Sequence, residues 1–309
     1  MNPRGGEFSV TAGGEIWVPV DSQQQFALFN GYYGTWCYLP LLATLTFNNE
    51  PRQYLVAALL RPGTAAVTPS AIGLLRRLLA KLRAAFPTAV LRVRLDGGFT
   101  GEPLFAFLEA AGVEYVVGMA GNTRLAKRVR RLQGRARMQA KATGESVQLF
   151  GDTRYQTRKW SRKRRIIMKA EVLRYPGRAP KNNPRFVVTN LPAPPAAVYA
   201  CYAARGDMEN RVKELKLGLA LDRTSCARFR ANQFRVLLTA ATYVLFQELQ
   251  RCAQATPSAV AQVSTLRQRL LKVAVWVERS VRRIVLHLPT AFPWLRPWRQ
   301  LAQALGATP

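Results

Sequence analysis

Tyr202-Ala203-Ala204-Arg205-Gly206-Asp207-Met208-Glu209-Asn210-Arg211-Val212-Lys213-Glu214-Leu215-Lys216 is the stretch from which the fold can be read. At about 100° per residue, a helix through it puts Tyr202, Arg205, Glu209 and Lys216 within roughly 60° of one another on one face. Met208, Val212, Leu215 and Leu219 form the adjoining apolar stripe, the side that would dock on a sheet. On an arbitrary helix, Glu and Lys at such spacings are ordinary surface ion pairs. The array therefore takes its meaning from what stands upstream.

Upstream, Val90-Leu91-Arg92-Val93-Arg94-Leu95 alternates as a strand and runs into Asp96-Gly97-Gly98-Phe99, leaving a carboxylate at a strand's carboxyl end. Helical periodicity follows over 102–111 through Leu104, Phe105 and Leu108; Gly112 ends it, and Glu114–Gly118 reads as another strand. Before these, Phe26–Leu60 reads as hairpins punctuated by Asn30-Gly31, Gly34 and Asn48-Asn49, and Ser70 is placed to cap a helix carrying Leu74, Leu75, Leu78, Leu79 and Leu82. Between 120 and 190 the character changes. A basic helical patch (Lys127, Arg128, Arg130, Arg131, Arg135, Arg137) gives way to strand-like runs at Val147–Phe150, Arg165–Leu173 and Phe186–Val188, a mostly β insertion. Later, Val198–Ala220 and Phe229–Arg251 read as helices, and Ser264–Leu288 as a basic amphipathic segment whose exact elements the pattern leaves open; a packed helix with a DNA-facing side is preferred to a membrane-surface or partner helix. The fold class is thus α/β, organised as a core (1–119), a basic β-rich insertion (120–190) and the rest of the core with C-terminal helices (191–309).

Lys and Arg number 46 against 17 Asp and Glu, a formal net charge of +29, which points to a polyanionic partner, nucleic acid before membrane. The longest apolar run, around Val236–Leu249, is too short to span a bilayer, and Met1–Gly14 has no leader character, so a cytoplasmic location is expected. Cys37, Cys201, Cys226 and Cys252 lack metal-ligand or disulfide spacing, and the single histidine, His287, reads as structural. Any chemistry must rest on carboxylates.

The spacing of Tyr202, Arg205, Glu209 and Lys216 resembles the Tyr-Arg-Glu-Lys signature of insertion-sequence transposases with a DDE active site. Phe29–Thr35, Cys37–Pro40, Leu60–Gly63, Asn182–Asn190 and Arg223–Cys226 are similar to recurring blocks of the same group. The resemblance implies a ribonuclease H-like mixed sheet flanked by helices, with the β insertion preceding the last catalytic helix. It further implies catalytic and metal-ligating roles for Asp96 and Glu209, two Mg²⁺ (or Mn²⁺) ions, and DNA partners in the form of terminal inverted repeats and target. Phosphate contacts from Tyr202, Arg205 and Lys216, a homodimer on paired ends, and a bacterial, nucleoid-associated protein complete the picture. In the basic run Arg158–Arg165, Arg162 and Lys163 are expected to touch DNA backbone. Trp160 would stack on an extruded base, the alternative being a half-buried strand aromatic. The family's first Asp should fall near Gly13 or Gly14, where no carboxylate stands, and Glu15 and Asp21 do not fit its pattern. The expectation is a truncated copy with impaired catalysis; a non-catalytic DNA-binding protein or a transposition inhibitor is the alternative.

Overall fold

A computed structural model describes residues 6–13, 16–48, 50–254 and 256–307. Strands along the described chain are β1 (Glu7–Gly13), β2 (Val18–Pro19), β3 (Leu28–Asn30), β4 (Thr35–Tyr38), β5 (Leu41–Phe47), β6 (Tyr54–Leu59), β7 (Val90–Leu95), β8 (Glu114–Met119), β9 (Val147–Tyr155), β10 (Arg164–Leu173), β11 (Lys181–Asn182), β12 (Arg185–Thr189), β13 (Trp276–Arg279) and β14 (Ile284–His287). The helices are α1 (Val67–Ala85), α2 (Glu102–Ala110), α3 (Thr123–Thr143), α4 (Pro195–Ala203), α5 (Asp207–Lys213), α6 (Phe229–Cys252), α7 (Val263–Leu266) and α8 (Leu295–Ala304). By its internal contacts the chain forms two compact units. Met1–Glu15, Leu41–Ala57 and Thr64–Glu209 make the first; Ile16–Pro40, Ala58–Gly63 and Asn210–Pro309 make the second.

A mixed sheet dominates the first unit, in the order β11-β10-β12-β8-β7-β1-β5-β6 with β9 paired to β10. At its centre β1, β7 and β8 run parallel, Ala12 opposite Leu95 and Leu95 opposite Val117. Parallel strands need helical crossovers, and the α1 and α2 segments supply them. Along β1, Phe8, Val10 and Ala12 face one side; Phe8 meets Phe47 and Phe86 edge-on at ring distances of 4.9 and 4.7 Å. The opposite face is polar. There the buried Arg94 donates from Nε to Thr11 Oγ1 at 3.0 Å and from Nη2 to Thr46 Oγ1 at 3.1 Å, and its burial lowers its pKa.

The stretch read as an insertion carries β9 to β12, and these strands extend the central sheet: β12 pairs antiparallel with β8, β10 with β12, and β9 with β10. Without them the edge of β8 would present unpaired peptide groups. Packed on β9 and β10, α3 buries Leu125, Val129, Ala136 and Ala140, and Asn122 caps it by accepting a hydrogen bond from the Leu125 N–H at 3.0 Å.

Helix α1 starts at Val67 and receives no side-chain cap; Ser70 lies inside its first turn and donates to the Ala66 carbonyl instead. The segment Ser264–Leu288 is not one helix: α7 passes into a π-helical turn, Arg267–Leu271, and the chain then forms the β13–β14 hairpin. Val277, Val281, Ile284 and Val285 are β-branched and lose rotamer freedom in a helix, while extended backbone accommodates them.

One buried ion network ties the start of β10 to α2. Arg164, 3% exposed, donates from Nη1 to Glu102 at 2.6 Å and from Nε to Glu109 at 2.8 Å, with its guanidinium 4.9 Å from the centre of the Phe105 ring. Hydrogen bonds from Arg164 hold the Glu102 carboxyl at a pKa of about 2 against an ordinary 4.5. Its stabilising contribution is therefore complete above about pH 4.5 and drains away as pH falls towards 2. Arg164→Met should cost about 3–5 kcal/mol in a urea melt, since it strands two carboxylates. Glu102→Gln should flatten the acid limb of the stability curve; an unchanged limb would show that this carboxylate does not set it.

Candidate functional site

Because β1, β7 and β8 are in parallel register, Gly13, Asp96 and Gly118 stand at the carboxyl ends of adjacent strands. Asp96 is 8% exposed, and its Oδ1 accepts from the Gly98 N–H at 3.0 Å, starting the 3-10 turn Gly97–Phe99. That bond makes it a turn former as well as a candidate ligand. A Cβ added to Gly13 would lie 3.2 Å from Asp96 Oδ2, so a side chain at position 13 would enter directly beside this carboxylate. The Gly13 φ of +157° lies at the margin of what residues with a side chain adopt. Gly14 and Glu15 lie outside the described residues.

On the other side of Asp96, a Cβ at Gly118 would meet the Tyr202 hydroxyl at 2.4 Å and the Gly97 nitrogen at 3.1 Å. Tyr202 thus lays its phenol over the end of β8, next to the turn that Asp96 starts. It packs against the buried cluster of Val116, Ile167, Val187, Leu191 and Val198.

The segment expected as one uninterrupted α-helix is segmented: α4 ends at Ala203, Ala204–Gly206 is a 3-10 turn, α5 follows, and Glu214–Gly218 is π-helical. These changes of pitch break the uniform 100° progression behind the single-face reading. Tyr202, Arg205 and Glu209 nevertheless associate. The Arg205 guanidinium carbon lies 5.9 Å from the Tyr202 ring centre, and Nη2 donates to Glu209 Oε1 at 3.2 Å. Glu209 is largely exposed, and Lys216, in the π-helical stretch, places its ammonium 5.8 Å from the Trp17 ring centre. Two residues before Glu209, Asp207 lines a small cavity of about 280 Å³ with Arg92, Arg94 and Cys201. Among the described residues, no group of three or more His, Cys, Asp or Glu side chains is placed to hold a metal ion.

Trp160 is placed otherwise than expected for a stacking residue. It is 5% exposed, its ring set edge-on to Phe105 at 5.2 Å and to Tyr155 at 6.0 Å, with the Arg164 guanidinium 5.4 Å from its centre. This enclosure leaves no open ring face. Arg162 bridges to Glu109 at 2.6 Å while staying mostly exposed, and Lys163 is exposed. Both line a cleft of about 650 Å³ together with Arg154, Arg165, Asp152 and Asn190. The outer side of α3 exposes Arg124, Lys127, Arg128, Arg130, Arg131 and Arg135, and the helix contains no acidic residue. Gly118 carries no signal in the sequence: a glycine near a strand end is ordinary until register sets it against Tyr202.

A family model described as transposase DDE domain group 1 matches residues 16–309. No curated protein matches the chain. No helix among the described residues is long and apolar enough to cross a membrane.

The Gly118–Tyr202 contact is testable by itself. Gly118→Ala should destabilise by about 1–3 kcal/mol through overpacking. Combined with Tyr202→Phe, which removes the nearest atom, it should cost less than the sum of the two single changes in a denaturant-melt cycle. Strict additivity would mean the hydroxyl does not press on this strand end.

Proposed function

We propose that this chain, which belongs to the transposase DDE domain family, engages DNA as a transposase does but cleaves and joins strands poorly or not at all. The family gives the transposase function. The finer reading rests on one observation: the strand end beside Asp96 carries Gly13, whose missing side chain would stand 3.2 Å from the carboxylate.

In this reading the sheet is the ribonuclease H-like core, and Asp96 and Glu209 are the two acids left of the catalytic set. Divalent-metal chemistry requires carboxylates converging on the ions, and the described residues do not supply a set of three. The donor set among the described residues therefore does not fit a two-ion Mg²⁺ or Mn²⁺ centre. DNA contact depends less on that loss. The net charge of +29, the acid-free outer face of α3, and Arg162 and Lys163 at the mouth of their cleft all suit a phosphate backbone. Arg205, held between Tyr202 and Glu209, and Lys216 are the cations of the signature segment and are assigned to phosphates nearer the reacting end. Trp160 is assigned to packing. Paired element ends held by two copies, in a bacterial nucleoid, fit this reading. The non-catalytic alternative, a DNA-binding protein that inhibits transposition by occupying the ends, is favoured by the same glycine.

The chain should bind duplex DNA with an affinity that falls steeply as salt rises, the logarithmic slope growing by about 0.9 for each phosphate neutralised. With Mg²⁺ or Mn²⁺ it should leave plasmid-borne element ends uncut. Gly13→Asp should raise Mn²⁺ binding, measured calorimetrically, and lower stability by about 1–3 kcal/mol because of the φ it must adopt. Metal-dependent cleavage by the unaltered chain that disappears in Asp96→Asn would overturn the impaired-catalysis reading. Failure to bind duplex DNA would overturn the whole.

A further inference from the structure

The β13–β14 hairpin exposes almost everything it carries. Trp276 is 74% exposed, Ile284 65% and Val281 fully so, and no residue of either strand is buried. A two-stranded ribbon with neither face covered is marginal in water by itself. Its pairing is regular, from Trp276 opposite His287 to Arg279 opposite Ile284, and one further step closes it: the Ser280 N–H donates to the Arg283 carbonyl at 2.9 Å. Val281 and Arg282 are left as a two-residue tip.

Arg279, Arg282 and Arg283 fall within five positions at this tip, and none has a carboxylate partner among the described residues. The one acid of the ribbon, Glu278, is engaged by His287 at 3.2 Å. Alternation along the pleat places Arg279 with Val277 and Leu286 on one face and Arg283 on the other, so the ribbon carries a cation on each side and an apolar residue at its apex. A B-DNA major groove, about 12 Å wide, admits a two-stranded ribbon; its walls are two phosphate backbones, and its floor offers apolar contact at thymine methyl groups. A second copy of the chain, itself at +29, would meet the three guanidinium groups with like charge.

Resting on the reading above that the chain binds DNA, we infer that the β13–β14 hairpin is a DNA-reading arm. It enters the major groove tip first, with Arg279 and Arg283 against the two phosphate walls, Arg282 beside them and Val281 at the floor. Nothing in the Tyr202–Lys216 segment is needed for this, so the arm serves whether or not the chain cleaves.

The test compares the full chain with Arg279→Ala/Arg282→Ala/Arg283→Ala on a labelled random-sequence duplex, reading the salt dependence of Kd and the protection of guanine N7 from methylation. The arm predicts a slope shallower by about 2–3 and lost N7 protection. Val281→Asp should also lose the protection. A control lacking Arg76, Arg77 and Lys81 on α1 removes the same charge and should keep the protection. Exposed tip substitutions change stability little, and thermal melts will verify that the variants fold. The arm is overturned by an unchanged slope and protection in the triple variant, by an equal effect in the control, or by a triple variant that alters only the sedimentation mass, which would mark a contact between copies. If the unaltered chain binds no duplex, the DNA reading itself fails; if it binds and only the arm variants behave like wild type, the arm alone fails.

Discussion

Parallel register among β1, β7 and β8 is the constraint on which the described site depends. With Ala12 opposite Leu95 and Leu95 opposite Val117, the next residue of each strand, Gly13, Asp96 and Gly118, lies at one edge of the sheet. A slip of one residue would turn each side chain to the other face, putting Arg94 and Thr11 where Val93 and Val10 now pack. That penalty fixes the register firmly. It also explains why a polar underside coexists with an apolar one: Thr11, Thr46 and Arg94 satisfy one another on the face opposite Phe8, Val10 and Ala12.

Around that edge the small residues have different consequences. Gly118 makes room for the Tyr202 phenol and so lets the helical segment lie close over the strand ends, a packing function with a defined cost if filled. Gly13 makes room for the Asp96 carboxylate, since a Cβ there would lie 3.2 Å from Oδ2. The two glycines are indistinguishable by composition, and each lets a different side chain, Asp96 or Tyr202, come close to a strand end.

Cations in this protein likewise serve two ends. Arg164 and Arg92 are spent inside the fold, each forked between carboxylates, Glu102 and Glu109 for the first, Glu7 and Glu114 for the second. With 46 Lys and Arg against only 17 acids in the chain, most cations have no carboxylate left to pair with. The surplus collects on α3, at the mouth of the cleft beside Arg162 and Lys163, and at the hairpin tip. Internal pairing of the scarce acids and an outer surface suited to polyanions are thus two results of one imbalance.

Local pattern sufficed for much of this. Alternation gives the strands at 90–95 and 114–118, Gly112 gives the end of α2, and the spacing of Arg205 and Glu209 gives the hydrogen bond between them, as any i,i+4 pair of a cation and a carboxylate would. The absence of an acid at positions 13 and 14 was also plain from the letters alone. What the letters left open depends on long-range pairing and burial. Trp160 sits in a basic run that reads as DNA-facing, yet Phe105, Tyr155 and Arg164 enclose it, because Arg164 finds its carboxylates on α2, more than fifty residues earlier. Basic and apolar residues over 264–288 keep no single period long enough to separate helix from strand, so the hairpin at 276–287 is visible only in the pairing of its strands. That Gly13 lies against Asp96 is likewise decided only by the parallel pairing, since the distance between two strand ends is set by hydrogen bonds between strands and not by any residue's own preference.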